Sequence, residues 1–344
     1  MFENIPASHP SPSNILNDTP RGTLLWKHLP SRALGIVKHY YVYLPHDYLH
    51  SSKAFSTLYL FRGHEREWVN ANEDASRKGT SVVDLLDALI GRGTIEPRIV
   101  VMPGLSSEDN SVASLGINMR APHLAKQKHG IGSGAFEDYF VREFIPHIDA
   151  TYRTIPDRHH RAADGFSLGG YTATMLAIKH PTLFSSVGSY DGTFMWKDFV
   201  DERRPQKRVS SLTTRSTKIR TERKAVTDAR IAACTDNVWM TNPMFDPVFG
   251  FPRDLDYMLL HNPLSLLASI DDASLRSLRD IRFHIQCAAK DGKHGNIDRA
   301  KHFVSELRKY GIENAFDDVA LSTHAAHDWK SAEEHLRATL VLHR

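Results

Sequence analysis

Gly165-Phe166-Ser167-Leu168-Gly169-Gly170 has the spacing G-x-S-x-G and lies between the short run RAADGF and the helical pattern LGGYTATMLAIKHP. A serine on so tight a strand-to-helix turn needs small residues two positions to either side, because larger ones collide with the strand or the helix. The turn lifts the hydroxyl above the sheet edge and points the helix N-terminus at the reacting carbonyl. A hydroxyl is a weak nucleophile at neutral pH, so this chemistry needs a base and a group that orients the base. Among 20 histidines, His327 in THAAHDW is the leading base, with His324 and His294 open as alternatives on spacing alone. Asp291, in KDG after the strand pattern IRFHIQCAAK, is the expected acid, since a loop at the carboxyl end of a strand delivers a carboxylate to the active edge. Asp191, in SYDGTF after another strand pattern, is the second candidate for that role and otherwise a substrate-pocket residue.

These residues need a sheet to hold them. STLYLFRG (56–63) and RIVVMPG (98–104) are nearly continuous apolar runs, as expected of strands covered on both faces, and SVVDLLDALIGRG between them has helical spacing. The alternation continues with FEDYFVREFIPHIDATY, helical from Phe136 to Ile148, then RAADGF, the elbow helix, FSSVGSYDG, IRFHIQCAAKDG and the helix NIDRAKHFVSELRKYG. Alternating strands and helices predict an α/β fold with a mostly parallel, doubly wound central sheet and helices on both faces. Residues 1–30 are read as an N-terminal arm, with Pro6, Pro10, Pro12 and Pro20 in its first twenty positions. From Gly22 onward GTLLWKHLPS and GIVKHYYVYLP already carry the near-alternation of two antiparallel strands. The catalytic domain is placed at 31–344, with 197–256 as a basic insertion or lid over one end of the sheet. Residues 201–230 hold ten Lys or Arg against four Asp or Glu.

Composition bounds the rest. The 344 residues carry 43 Lys plus Arg and 40 Asp plus Glu, with 41% hydrophobic residues, the balance of a soluble globular chain and too neutral for bulk attraction to nucleic acid. No stretch approaches the roughly 18 apolar residues of a membrane span, and no apolar leader follows a basic start, so the expected setting is cytoplasmic. Cys234 and Cys287 are read as thiols outside any disulfide framework. HEREW at 64–68 lacks a second histidine one helical turn on, and His159 and His160 face apart, so no metal is expected.

The segments SRALGIVKHYYVYLP, FEDYFVREFIPHIDATYRT and RAADGFSLGGYTATMLAIKHP, and the terminal HDW before a Leu-rich helix, resemble an esterase family of α/β hydrolases. That group includes esterase-D-like enzymes, feruloyl and siderophore esterases and mycolyltransferases, and the resemblance covers residues 31 to 340. It implies an α/β-hydrolase fold and a serine esterase without cofactor. The implied nucleophile is Ser167, the acid Asp291 and the base His327, because the family's histidine directly precedes a D-W or S-W pair. Leu168 and His64 are the implied N–H donors of the oxyanion hole. His64 is the less certain of the two, since this chain has Arg62-Gly63-His64 where the family commonly has His-Gly. Trp68 and Trp196 are expected to line a substrate pocket together with Asp191. Asp164 replaces a residue that is usually apolar, so it must be paired inside or stand close to the site. The expected partner is a small-molecule or carbohydrate ester, and homo-oligomerisation is left open. The same acyl-enzyme would serve an acyltransferase of the mycolyltransferase type. The alternative outside catalysis is a binding protein using the basic segment.

Overall fold

A computed structural model describes residues 21–195, 239, 242–289 and 296–343. The described residues hold a seven-stranded sheet in the order β1-β2-β4-β3-β5-β6-β7. β1 (Thr23–Ser31) and β2 (Ile36–Leu44) form an antiparallel hairpin whose turn places Gly35 at φ 67°, and β2 runs antiparallel to β4 (Ile99–Pro103). β3 (Thr57–Phe61), β5 (Arg161–Gly165), β6 (Ser186–Tyr190) and β7 (Arg282–Gln286) continue the sheet in parallel. β1 takes up residues 23–30 of the stretch read as an arm and runs on to Ser31. Its alternation prevails because β1 is the sheet's edge, where Pro30 can sit without removing a needed ladder bond.

Period-two alternation sorts the core into two layers. Leu58 and Leu60 of β3, with Val100 and Met102 of β4, pack with the helices Val82–Gly91 and Trp329–Leu342. Tyr59 and Phe61, with Val101 of β4, face the segment Phe136–Asp138, Tyr139–Phe144 and Ile145–Thr151 and the helix Leu168–Lys179. The predicted single helix from Phe136 is thus continuous but contains a widened π-type stretch, Tyr139–Phe144. It ends two residues before Pro146, which cannot donate to the carbonyl four residues back. The helix Leu168–Lys179 is buried from Gly169 to Ile178 because the sheet lies on one side and the helix Pro263–Ala268 on another. Cys287 is buried and its Sγ–H points to the Val319 carbonyl, while Cys234 lies outside the described residues.

Asp164 is paired inside the molecule. Its carboxylate accepts from Thr339 Oγ1 at 2.6 Å and contacts His343 Nε2 at 3.1 Å and His335 Nε2 at 3.4 Å. Burial opposes its charge, but His335 and His343 outweigh burial and hold the carboxyl well below the usual carboxylate range. The chain of bonds continues from His343 Nδ1 to Ser186 Oγ at 2.7 Å and from Ser186 Oγ to His284 Nε2 at 2.9 Å. It therefore ties three strands to the helix Trp329–Leu342. No helix among the described residues is long and apolar enough to cross a membrane.

Candidate active site

The parallel strands β5 and β6 end side by side, and a residue of the candidate site stands within two positions of each end. Ser167 follows β5 by two residues, and its N–H donates to the Tyr190 carbonyl at 2.9 Å. It adopts φ 58° and ψ −118°, a conformation that costs a non-glycine residue about 1–3 kcal/mol and persists only where the surroundings impose it. The flanking glycines are what impose it. A Cβ on Gly165 would stand 2.3 Å from the Gly169 backbone, and one on Gly169 would stand 1.9 Å from the Phe61 carbonyl oxygen. The close approach expected from G-x-S-x-G is therefore present in the packing.

Asp191 follows β6 directly, also with positive φ (49°), and is fully buried. Its N–H is anchored on the Gln286 carbonyl at 2.8 Å, and Oδ1 accepts from Ala288 N–H at 3.3 Å. The remaining oxygen, Oδ2, is in short hydrogen-bond contact with His327 Nδ1. The imidazole rests on the Phe166 ring, with centroids 4.7 Å apart, and remains about a third exposed. An ionised carboxylate only accepts, so Nδ1 carries the proton and Nε2 is the basic nitrogen.

Ser167, Leu168 and His327 line one cavity of roughly 280 Å3. Asn110, Ala113, Thr193, Asn242, Met244, Phe245 and Asn296 complete much of its wall. Asn242, Met244 and Phe245 come from the stretch 197–256 read as a basic insertion or lid, of which 197–238, 240 and 241 lie outside the described set. The Leu168 N–H begins the elbow helix directly after Ser167, where a first-turn donor has no intrahelical acceptor.

Several sequence expectations meet a different arrangement. The carboxylate on His327 is that of Asp191, so Asp191 does not line the substrate pocket; Asp291, the expected acid, lies outside the described residues, as do Trp196 and His294. Trp68 is buried at 2% exposure, edge-on to Trp329 at 4.9 Å, with its Nε1–H donated to the Phe61 carbonyl. It packs the core behind the site instead of lining it. The His64 N–H, expected in the oxyanion hole, donates to Glu67 Oε1 at 2.7 Å. Sequence reasoning passed over Glu67 and Asn110, both lining the cavity; the only available signal was an acid directly before Trp68 in a loop next to the nucleophile. Phe166 was likewise missed as the platform beneath His327.

The solved structures that resemble the chain share its fold. A ferulic acid esterase superposes with a TM-score of 0.62 over 95% of this chain and 98% of its own, at 19% identity. Among curated proteins, "Esterase Rv1288" of Mycobacterium tuberculosis is 28% identical over 154 residues, which cover 44% of this chain and 28% of that protein. The endo-1,4-beta-xylanase/feruloyl esterase of Xylanibacter ruminicola is 28% identical over 176 residues, 50% of this chain and 22% of its own. The alignments thus span under a third of those longer relatives. The family model described as "Putative esterase" matches residues 31–237, which includes the serine elbow and Asp191, and the chain belongs to that family.

Proposed function

We propose that the protein is a serine carboxylester hydrolase in which Ser167 is the nucleophile, His327 the base and Asp191 the orienting acid. The observation that carries the reading is the strained Ser167 on its glycine-flanked elbow, sharing a cavity with an imidazole whose Nδ1 is held by a buried carboxylate. Ser167 Oγ attacks the ester carbonyl while His327 Nε2 takes its proton, and Asp191 fixes the tautomer and stabilises the imidazolium. The Leu168 N–H, at the start of the elbow helix, donates to the developing oxyanion. His327 then protonates the departing alcohol, and water activated by the same imidazole releases the acyl group. Neither step calls for a metal or a cofactor. The cavity wall is rich in carboxamides, which suits an ester carrying polar groups. The names of two relatives make hydroxycinnamoyl esters the first aromatic substrates to try.

The test is an initial-rate comparison of the wild type with Ser167→Ala on p-nitrophenyl esters from acetyl to decanoyl and on methyl ferulate, with and without an added alcohol. Wild-type hydrolysis that disappears in the variant supports the reading, and equal rates in the two proteins refute it. Faster ester consumption with alcohol, accompanied by a new ester product, replaces hydrolase with acyltransferase.

A further inference from the structure

Ser167, Asp191 and His327 come from three separate segments of the chain, and one buried residue is bonded toward all three. Tyr190 is the last residue of β6 and is 1% exposed. Its carbonyl accepts from the Ser167 N–H at 2.9 Å, and its own peptide bond leads directly into Asp191. Its side chain lies in the core layer shared with the helix Trp329–Leu342, where the hydroxyl donates to the Ala326 carbonyl at 2.6 Å, one residue ahead of His327. That carbonyl also accepts from the Asp328 N–H at 2.9 Å, and the Ala326 N–H donates to Ser331 Oγ at 3.1 Å, so both backbone groups of Ala326 are held. The Tyr190 ring packs 5.6 Å from that of Phe166, the platform beneath His327, and 5.6 Å from that of His335.

Resting on the serine reading above, we propose that Tyr190 is the positioning residue that sets nucleophile, acid and base in register, its hydroxyl fixing the loop that carries His327. Proton transfer between Ser167 and His327 tolerates little error, since a misplacement of about 1 Å costs about 100-fold in rate. Ser167 is fixed by its glycine-flanked elbow, and Asp191 by its N–H bond to the Gln286 carbonyl. His327 has no such frame: it stands outside any strand or helix and is about a third exposed, so its place depends on the bonds around it. The Tyr190 hydroxyl ties that stretch to the strand that presents Asp191. Filling the core would ask only for a phenylalanine; the buried oxygen needs a partner, and it finds one in the base loop. Burial pushes the hydroxyl up, so it stays protonated and donates throughout the neutral range. A tyrosine side chain has only two torsions, and the contacts with Phe166 and His335 restrict both.

The experiment measures kcat and KM for ester hydrolysis, and the rate of inactivation by a fluorophosphonate, in wild type, Tyr190→Phe and Tyr43→Phe. Tyr43→Phe controls for the loss of a buried hydroxyl bond as such, because Tyr43 Oη donates to Asp87 Oδ1 at 2.7 Å and Tyr43 is no part of the cavity wall. The expected result for Tyr190→Phe is a kcat per folded molecule at least about tenfold lower with KM within about twofold. Inactivation should slow by the same factor, because both reactions need Ser167 Oγ aligned with the imidazole. Tyr43→Phe should keep both rates within about twofold of wild type even where its denaturation midpoint falls. An unchanged kcat in Tyr190→Phe overturns the proposal, and so does an equal fall in Tyr43→Phe, which a general loosening of the core would give. Should Tyr190→Phe not fold, Ser331→Ala releases the other backbone group of Ala326 and must show the same split of kcat from KM; wild-type kinetics there overturn the proposal. Hydrolysis that survives in Ser167→Ala instead sinks the serine reading, so the two failures are distinguishable.

Discussion

Two serine, histidine and aspartate constellations occur in this molecule, and only one is placed to react. Ser186, His343 and Asp164 are joined by successive hydrogen bonds, Ser186 Oγ to His343 Nδ1 and His343 Nε2 to Asp164. Ser167, His327 and Asp191 meet at the carboxyl ends of β5 and β6. The first set is sealed: Ser186 has no exposed surface and sits within a regular strand, its hydroxyl shared with His284. The second opens on a cavity, and its serine stands on a strained turn at a helix N-terminus. A hydrogen-bonded trio of the right side chains is therefore insufficient for catalysis. Access, a helix N-terminus and a hydroxyl held off the sheet distinguish the set proposed to be catalytic, whereas the buried set fastens the helix Trp329–Leu342 to the strands.

Substitution at matched positions is the sharpest way to break this comparison. Asp191→Asn leaves the shape but favours the wrong imidazole tautomer, and we expect kcat to fall about 10⁴-fold in steady-state assays. Asp291→Asn in parallel should leave kcat within a few-fold. If the Asp291 variant instead loses activity while Asp191→Asn keeps it, the acid belongs to Asp291. Ser186→Ala should change ester turnover by less than about threefold, against the near-complete loss in Ser167→Ala.

Asp164→Asn should act on stability instead of rate. Removing one partner of a buried charged cluster costs about 3–5 kcal/mol, readable as a lower denaturation midpoint with kcat per folded molecule preserved. A large fall in kcat without loss of stability would erase the distinction between the two sets.

Acid titration of stability is the smallest expected effect. Burial lowers His284 to about 2 and His261 to about 4, and the cations near each add to the shift. Both are therefore neutral when folded near pH 5, whereas their unfolded forms bind protons below about 6.5. The unfolded state binds more protons in that window, so stability rises with pH there and falls as pH drops from 6.5 toward 4. Asp164, with its depressed carboxyl, adds a loss only below about pH 4, where unfolded aspartate protonates. Chemical denaturation at pH 7.0 and 5.5 checks the sign.

The elbow that carries Ser167 and the sheet were legible because both are written locally: G-x-S-x-G at a strand-helix junction, and apolar runs at strand length. The acid was not. Asp191 and Asp291 each precede a glycine after an apolar strand, and β6 and β7 are paired neighbours, so loops after either strand start from the same sheet edge. Choosing between them requires knowing which loop turns inward, and no local pattern encodes that. Trp68 misled for a related reason: an aromatic beside a catalytic loop can face the cavity or the core, and its Nε1–H bond to Phe61 settles it inward. The partners of Asp164 were invisible because Thr339 and His343 lie 175 and 179 residues away in the chain.

The helix Trp329–Leu342 starts two residues after His327 and carries Thr339, a partner of Asp164, near its other end. Asp191 and His327 are 136 residues apart. During synthesis the elbow and its strands therefore emerge long before the base, and the closing contacts carry the largest loop-closure entropy in the site. On the proposed mechanism a growing chain can shape its nucleophile early yet stay inert toward surrounding esters until the helix Trp329–Leu342 docks, so the order of translation doubles as an order of activation.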